Sequence, residues 1–184
     1  MSSSFRRALD APAGELVILS RSLVEDVTEA SRTSPRRRII LPFHKNEAEL
    51  LQRMLNVIQP DSYVRPHRHL APPKAEAWVL LRGALAFFTF EEDGRVRDCL
   101  SLEAGGEHFG VDLAPGIFHG MVALAPDTVI YEVKNGPYAP VDDKAFPEWA
   151  PAEGTPEATS YLLRLREEFL RRFPGCSGGP DVRP

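Results

Sequence analysis

The chain has 184 residues, of which 43% are hydrophobic and 26% are charged, and its formal net charge at neutral pH is -4. This composition is typical of a soluble globular protein with one domain and a sizeable core. The slightly acidic balance gives no reason to expect a nucleic-acid-binding surface. No apolar run approaches the length of a membrane span, so we expect neither nucleic acid nor membrane as a partner.

The cysteine content and the N-terminal residues indicate the cellular compartment of the protein. The two cysteines, Cys99 and Cys176, fall in a predicted strand and in a Gly/Pro-rich tail, so we expect no disulfide between them. That pattern fits a reducing environment. The opening residues Met-Ser-Ser-Ser-Phe-Arg-Arg lack the apolar run of a secretory signal. We therefore expect a cytoplasmic protein.

The N-terminal part is predicted to be an arm before the main domain. Residues 1–14 are expected to form a flexible tail, and residues 15–50 a helix/strand arm. Within this arm an apolar run at 15–20 suits a short strand, and residues 22–31 suit an amphipathic helix. Three arginines at 36–38 have two interpretations, a solvated turn or a clamp for an anion at the mouth of a pocket.

From residue 52 the hydrophobic period changes to two, and short strands recur between turn signals such as Gly83, Gly94 and Pro115-Gly116. Regularly spaced short strands of this kind are typical of an all-β sandwich or barrel. We predict a β-barrel over residues 51–137 that can hold one ligand in its mouth. The strands are expected near 52–59, 62–69, 76–82, 84–90, 95–102, 107–113, 117–124 and 127–134.

The C-terminal part is predicted to be an irregular arm and a helix over residues 138–173, followed by a disordered tail at 174–184. Thr155 suits the N-cap, Pro156 the first helical position, and Glu157 the positive end of the helix dipole. The apolar stripe of this helix favours docking on the barrel or on a partner subunit over lying on a membrane surface.

The pattern that organises these expectations is His67-Arg68-His69, followed by Glu76 at the start of the next strand. Residues two apart on a strand project from the same face, so the two imidazoles are expected side by side. A hairpin would bring the Glu76 carboxylate back to them. A third imidazole, His119, lies just inside a strand that follows the Pro-Gly turn. Neutral imidazole is the commonest ligand for divalent transition metals in proteins.

This combination resembles the two metal-binding motifs of the cupin superfamily. The resemblance implies an all-β, cupin-type double-stranded β-helix (jelly-roll) barrel with a few peripheral helices. It also implies one divalent transition metal (zinc, iron, manganese or nickel) held by His67, His69, Glu76 and His119. Glu76 has an alternative role as an acceptor that orients an imidazole without binding the metal.

Several longer stretches resemble the WbuC family of bacterial cupin-fold metalloproteins, and the likeness covers roughly residues 33–165. They include Arg-Pro-His-Arg-His from residue 65, Pro-Pro-Lys-Ala-Glu ending at Glu76, and the segments 131–138 and 146–154. Members are often encoded beside genes for O-antigen and other surface polysaccharides. The resemblance implies a bacterial metalloprotein and leaves its reaction open.

Two further residues, Tyr63 and Arg65, share the predicted strand parity of the two histidines. We predict both as catalytic residues, with Tyr63 as a proton donor and Arg65 as a bidentate donor to a carboxylate or phosphate. Weaker candidates for the interior and its rim are His44, Met54, Asn56, Lys74, Arg82, Glu132 and Lys134.

Two functions fit these predictions. One is a metal-dependent enzyme, of isomerase or epimerase, lyase or dioxygenase type, acting on a small polar metabolite such as a sugar or sugar nucleotide. The other is a metal-dependent binding or sensor protein without turnover. An enzyme needs a positioned acid or base beside its ligand, whereas a sensor does not. In both cases we expect a small-molecule ligand and a homodimer.

Overall fold

The computed structural model describes residues 6–139 and 143–175, and it is mostly β-structure with two helices. The helices are α1 (Arg21–Thr33) and α2 (Pro156–Arg172). The strands, in chain order, are β1 (Arg38–Pro42), β2 (Leu51–Ile58), β3 (Glu76–Arg82), β4 (Ala84–Phe90), β5 (Val96–Glu103), β6 (Gly110–Leu113), β7 (Phe118–Ala123) and β8 (Thr128–Asn135).

The strands form two antiparallel sheets. One has five strands in the order β1-β2-β8-β3-β6, and the other has three in the order β5-β4-β7. The link from β3 to β4 is Gly83 alone, with φ of 78°, where a Cβ would overlap Thr128. Only glycine adopts this conformation without strain, which explains the sharp passage from one sheet to the other.

The core between the sheets follows from strand alternation. Trp78 and Leu80 of β3 pack with Leu85 and Phe87 of β4, and with other apolar side chains of both sheets. Directly opposed residues of paired strands point to the same side. Glu132 is paired with Trp78, and Lys134 with Glu76, so these polar side chains also face this interior.

The helices cover the outer faces of the sheets. Helix α1 packs over β1 and β2, where Val27 belongs to a cluster with Leu55 and Val57. Helix α2 covers the three-stranded sheet through Leu162, Leu165, Phe169 and others. Neither helix in the described ranges combines the length and apolar content needed to cross a membrane.

Several N-terminal predictions need correction. The run at 15–20 is mostly exposed and is not assigned to a strand. Residues 6–14, predicted as part of a flexible tail, include Ala8, which bridges Ile40 of β1. Strand β1 itself joins the five-stranded sheet by pairing with β2, so this sheet begins before the predicted start of the barrel at residue 51. The predicted disordered tail lies outside the described residues from 176 onward.

The predicted strand at 62–69 is also wrong. This segment makes only isolated bridges, from His67 to His119 and from Arg68 to Ala145. Proline cannot donate to a β-ladder, so Pro60 and Pro66 interrupt regular pairing on the approach to the histidines. Strand parity therefore does not extend back from His67.

Candidate metal centre

Three parts of the fold bring the histidine motif and its partners together. The His67 amide donates to the His119 carbonyl at 3.0 Å, and the His119 amide donates back at 2.9 Å. This bridge fixes the segment carrying His67 and His69 against β7. Glu76 opens β3, where it pairs with Lys134 of β8 and Leu113 of β6. One ligand atom from each of His67, His69, Glu76 and His119 lies within 4.8 Å of the other three.

The orientation of the imidazoles is set by the backbone. Nδ1 of His67 lies 2.9 Å from the carbonyl oxygen of Arg65, Nδ1 of His119 lies 2.9 Å from that of Ile117, and Nδ1 of His69 contacts that of Asp143. A carbonyl oxygen only accepts, so each Nδ1 must carry the hydrogen. In the neutral ring this leaves a lone pair on Nε2, the arrangement expected of metal-binding histidines.

The Nε2 atoms are the unusual feature of the cluster. Nε2 of His69 and Nε2 of His119 each lie 3.0 Å from a Glu76 oxygen. Both nitrogens and Glu76 Oε2 are buried without a hydrogen-bond partner among the residues that the structure describes. A lone pair facing a carboxylate in a buried site is unfavourable unless a cation or a proton lies between them. The donor set therefore fits a divalent metal ion.

Burial and neighbouring charges shift the pKa values of Glu76 and His67. Burial raises the pKa of Glu76, but its contacts with His119 and His69 outweigh burial and hold the pKa well below the ordinary value. Burial, followed by the charge of Lys144, lowers the pKa of His67 well below its usual range. An ionised carboxylate and a neutral imidazole are the forms that bind metal.

The two predicted catalytic residues do not point into this interior. Tyr63 packs with Phe88 and other residues beneath α2, on the opposite side of the three-stranded sheet, and donates from Oη to the Pro151 carbonyl at 3.0 Å. Arg65 donates to the carbonyls of Pro147 and Ala150 and lies over the Phe146 ring. Both residues were predicted to face the interior because they share the parity of His67 on a strand that does not form here. In the structure both donate hydrogen bonds to the C-terminal arm.

The three arginines are neither a solvated turn nor a clamp for an external anion. Arg36 and Arg38 both pair with Glu153, at 2.7 Å each, and Arg37 pairs with Asp61 at 2.9 Å. Arg38 is buried and also donates to Ser62 and the Tyr63 carbonyl. The three guanidinium groups therefore form ion pairs that connect segments of the same chain.

Other polar groups of the interior were weak candidates in the sequence. Glu132 and Lys134 face inward as strand alternation suggests, and Asn56 donates to Glu132 at 3.4 Å. Lys74, predicted at the rim, is buried and bonded to Asp143. Asp143 carried no sequence signal because it lies in an irregular segment without a motif. His44 is bonded to the backbone of Arg53.

Comparisons with known proteins agree with this architecture. A family model described as a domain of unknown function, DUF6016, matches residues 19–102. No curated protein matches the chain. An uncharacterized conserved protein with a double-stranded β-helix domain from Klebsiella pneumoniae is 21% identical. That match covers 73% of this chain and 99% of the other, with a TM-score of 0.50.

Two further solved structures share part of the chain. The capsular polysaccharide assembling protein CapF from Staphylococcus aureus is 19% identical over 59% of this chain, with a TM-score of 0.46. The match spans only 29% of the CapF chain. KdgF from Halomonas sp. is 18% identical over 56% of this chain and 80% of its own, with a TM-score of 0.41.

The sheet order, the two helices and the Klebsiella likeness establish the fold. Within that fold, a buried cluster of three histidines and a glutamate lies between the sheets. The chain therefore has a double-stranded β-helix fold with a candidate metal centre between its two sheets.

Proposed function

We propose that this protein is a metal-dependent cupin that binds one divalent transition metal through His67, His69, Glu76 and His119. The observation that carries the proposal is the pair of buried Nε2 atoms, of His69 and His119, that face Glu76 and have no hydrogen-bond partner within residues 6–139 and 143–175. Three imidazoles and one carboxylate suit zinc, iron(II), manganese and nickel. When bound, such an ion supplies Lewis acidity toward a carbonyl or hydroxyl oxygen or activates a small molecule.

We further propose that the ligand is a small polar metabolite such as a sugar or sugar nucleotide, handled in surface-polysaccharide (O-antigen) metabolism. The likeness of residues 33–165 to the WbuC family supports this assignment. The polar groups Glu132 and Lys134 on the inner face of the five-stranded sheet are compatible with a polar ligand. We place the protein in the bacterial cytoplasm.

The interior also contains a group suited to proton transfer. Burial, together with the nearby charge of Glu76, raises the pKa of Glu132 above its ordinary value. A carboxyl group with a raised pKa is a candidate general acid or base, which an enzyme needs and a sensor does not. Glu132 is therefore the residue whose replacement distinguishes an enzyme from the alternative, a metal-dependent binding protein without turnover.

Elemental analysis of protein purified without chelator tests the metal assignment. We expect close to one equivalent of a transition metal in the wild type and in the control His108→Ala, which removes an exposed imidazole. The variant with His67, His69 and His119 all replaced by alanine should lose the metal while retaining its circular dichroism spectrum. A full equivalent of metal in this triple variant would exclude the proposed site.

A second experiment addresses the ligand and turnover. Metal-loaded protein is incubated with pooled sugar nucleotides, and both retained compounds and new products are identified by mass spectrometry. Products formed by the wild type but not by Glu132→Gln would support the enzyme. Retention of an unchanged compound by both proteins would support the binding protein. If the wild type neither retains nor converts any of the compounds, the sugar assignment is contradicted.

A further inference from the structure

Asp143, which is not one of the four candidate ligands, is a buried carboxylate held between two ammonium groups. Lys74 Nζ lies 2.6 Å from Asp143 Oδ1, and Lys134 Nζ lies 2.9 Å from Asp143 Oδ2. The side chains of Lys74, Lys134 and Asp143 are only 1%, 7% and 2% exposed. Breaking a buried ion pair leaves an uncompensated charge, which is strongly unfavourable. Each of these groups therefore depends on the others.

Lys134 also faces a candidate ligand. Its Nζ lies 3.9 Å from Glu76 Oε1, whereas the Asp143 carboxylate is a full hydrogen-bond partner. Glu76 Oε1 lies closer to His69 Nε2, at 3.0 Å. Asp143 thus satisfies the ammonium group that would otherwise have Glu76 and Glu132 as its acidic neighbours.

The backbone of Asp143 contacts the site as well. Its carbonyl oxygen accepts the hydrogen of His69 Nδ1, which fixes the tautomer that presents Nε2 to the centre. Two residues on, Ala145 exchanges a pair of backbone hydrogen bonds with Arg68, at 2.9 and 3.1 Å. The segment 143–145 is therefore hydrogen-bonded to the histidine motif at both of its ends, through the backbones of Asp143 and Ala145.

We propose, on the basis of the metal-binding function above, that Asp143 is a positioning residue of the metal centre. Its carboxylate holds Lys74 and Lys134, and this leaves Glu76 free to bind the ion. When the charge of Asp143 is removed, Lys134 turns to Glu76 and competes with the metal for that carboxylate. The Asp143 carboxylate acts through Lys134 and is not itself one of the four groups proposed to bind the metal.

The test is metal affinity in a set of four variants, with cobalt(II) as the probe. Affinity is measured by competition with a chromophoric chelator, and the visible cobalt spectrum reports the coordination of the ion. Asp143→Asn keeps the size and the Lys74 acceptor but removes the charge. We expect it to bind cobalt about 10–100-fold more weakly than the wild type, the effect usual for groups that orient metal ligands. The control Asp112→Asn makes the same change at an exposed position of β6 and should leave affinity unchanged.

Rescue separates this role from a merely structural one. Adding Lys134→Met to Asp143→Asn removes the competing ammonium, so affinity and spectrum should return to those of Lys134→Met alone. If Asp143→Asn does not fold, the comparison of the double variant with Lys134→Met decides, and weaker binding by the double variant overturns the proposal. Wild-type affinity in Asp143→Asn also overturns it. A wild type that binds no cobalt refutes the metal-binding function and this inference together.

Discussion

Glu153 shows how single charged residues fasten the C-terminal arm. It accepts hydrogen bonds from Arg36 at 2.7 and 2.9 Å and from the buried Arg38 at 2.7 Å. Paired guanidinium–carboxylate bonds of this kind are stronger and more directional than ordinary surface ion pairs. The arm that they hold also carries Trp149, which packs beneath α2 with Phe90 and Phe118.

The Glu153 contacts predict a specific pH dependence of stability. Burial raises the pKa of Glu153, but the hydrogen bonds and charges of Arg36 and Arg38 outweigh it and lower the pKa from 4.5 to about 2. A depressed folded-state pKa contributes stability above pH 4.5 that is lost as pH falls toward 2. We expect Glu153→Gln to be less stable than the wild type at pH 7, and the difference to shrink below pH 4.5.

Urea unfolding of both proteins at a series of pH values measures this difference. The exposed Glu107→Gln, outside both helices, is a matched control, which should follow the wild type throughout. A difference that stays constant down to the acid limit of the fold would mean that the lost contacts are not electrostatic.

At the scale of elements, α2 illustrates a helix whose limits and packing face were both predicted from sequence. Thr155 caps the helix by accepting from the Ala158 amide at 3.3 Å, and Pro156 is its first residue. Leu162, Leu165 and Phe169 are buried against the three-stranded sheet, as the apolar stripe predicted. The amphipathic face therefore serves to close this side of the core.

The packing of α2 predicts that truncating one buried side chain strongly lowers the free energy of unfolding. Phe169 is fully buried and stacks on Phe173, with ring centroids 4.9 Å apart. Replacing a buried Phe by Ala removes apolar contact and leaves a cavity, which costs about 3–5 kcal/mol. We expect Phe169→Ala to lower the free energy of unfolding by this amount in urea titrations. The control Leu163→Ala, at a side chain that is 55% exposed, should change it by less than about 0.5 kcal/mol.

At the scale of the whole molecule, the metal adds to a core that is already extensive. Three apolar clusters fill the space between the sheets and beneath both helices. A core of this size does not require a metal in order to fold. The candidate centre, by contrast, brings polar groups into the interior, where a bound cation would offset the cost of burying them.

Metal removal should therefore lower the melting temperature without unfolding the protein. An ion that binds only the folded state adds about 2.7 kcal/mol at a hundredfold excess over its dissociation constant. For a domain of this length, 1 kcal/mol corresponds to roughly 2–4 °C, so we expect a decrease of about 5–11 °C at neutral pH. Melting curves with and without chelator measure it. Complete unfolding on chelation would make the metal a structural element instead.

The homodimer predicted from sequence remains a prediction with two candidate surfaces. Val79 and Leu81 of β3 are 42% and 45% exposed on the outer face of the five-stranded sheet, and Leu163 and Leu170 are exposed on α2. Exposed apolar surface of this kind favours association. We expect sedimentation at tens of micromolar, an order-of-magnitude choice for symmetric dimers, to give a dimer.

Two charge substitutions identify the surface involved. Val79→Lys should shift the protein to a monomer if the dimer forms through β3, and Leu163→Lys should do so if it forms through α2. A monomer in the wild type at this concentration would contradict the prediction itself.

Local sequence patterns sufficed to predict several features of the fold and of the site. Short apolar runs bounded by turn signals predicted β3 and β4 with the bounds that the structure has, and the N-cap and first-turn residues of α2 predicted its start. The spacing of His67, His69, Glu76 and His119 likewise placed four donors that the structure brings together. Strand and helix periods are local rules, so a few neighbouring residues suffice to apply them.

The groups that reach the site from distant parts of the chain become evident only in three dimensions. Pro66 interrupts regular pairing, so the parity that placed Tyr63 and Arg65 in the interior does not hold, and both residues fasten the C-terminal arm instead. The contact of Asp143 with Lys74 joins residues 69 positions apart. Such a pair forms because sheet register and an irregular segment meet in space, and no local pattern in the sequence encodes that meeting.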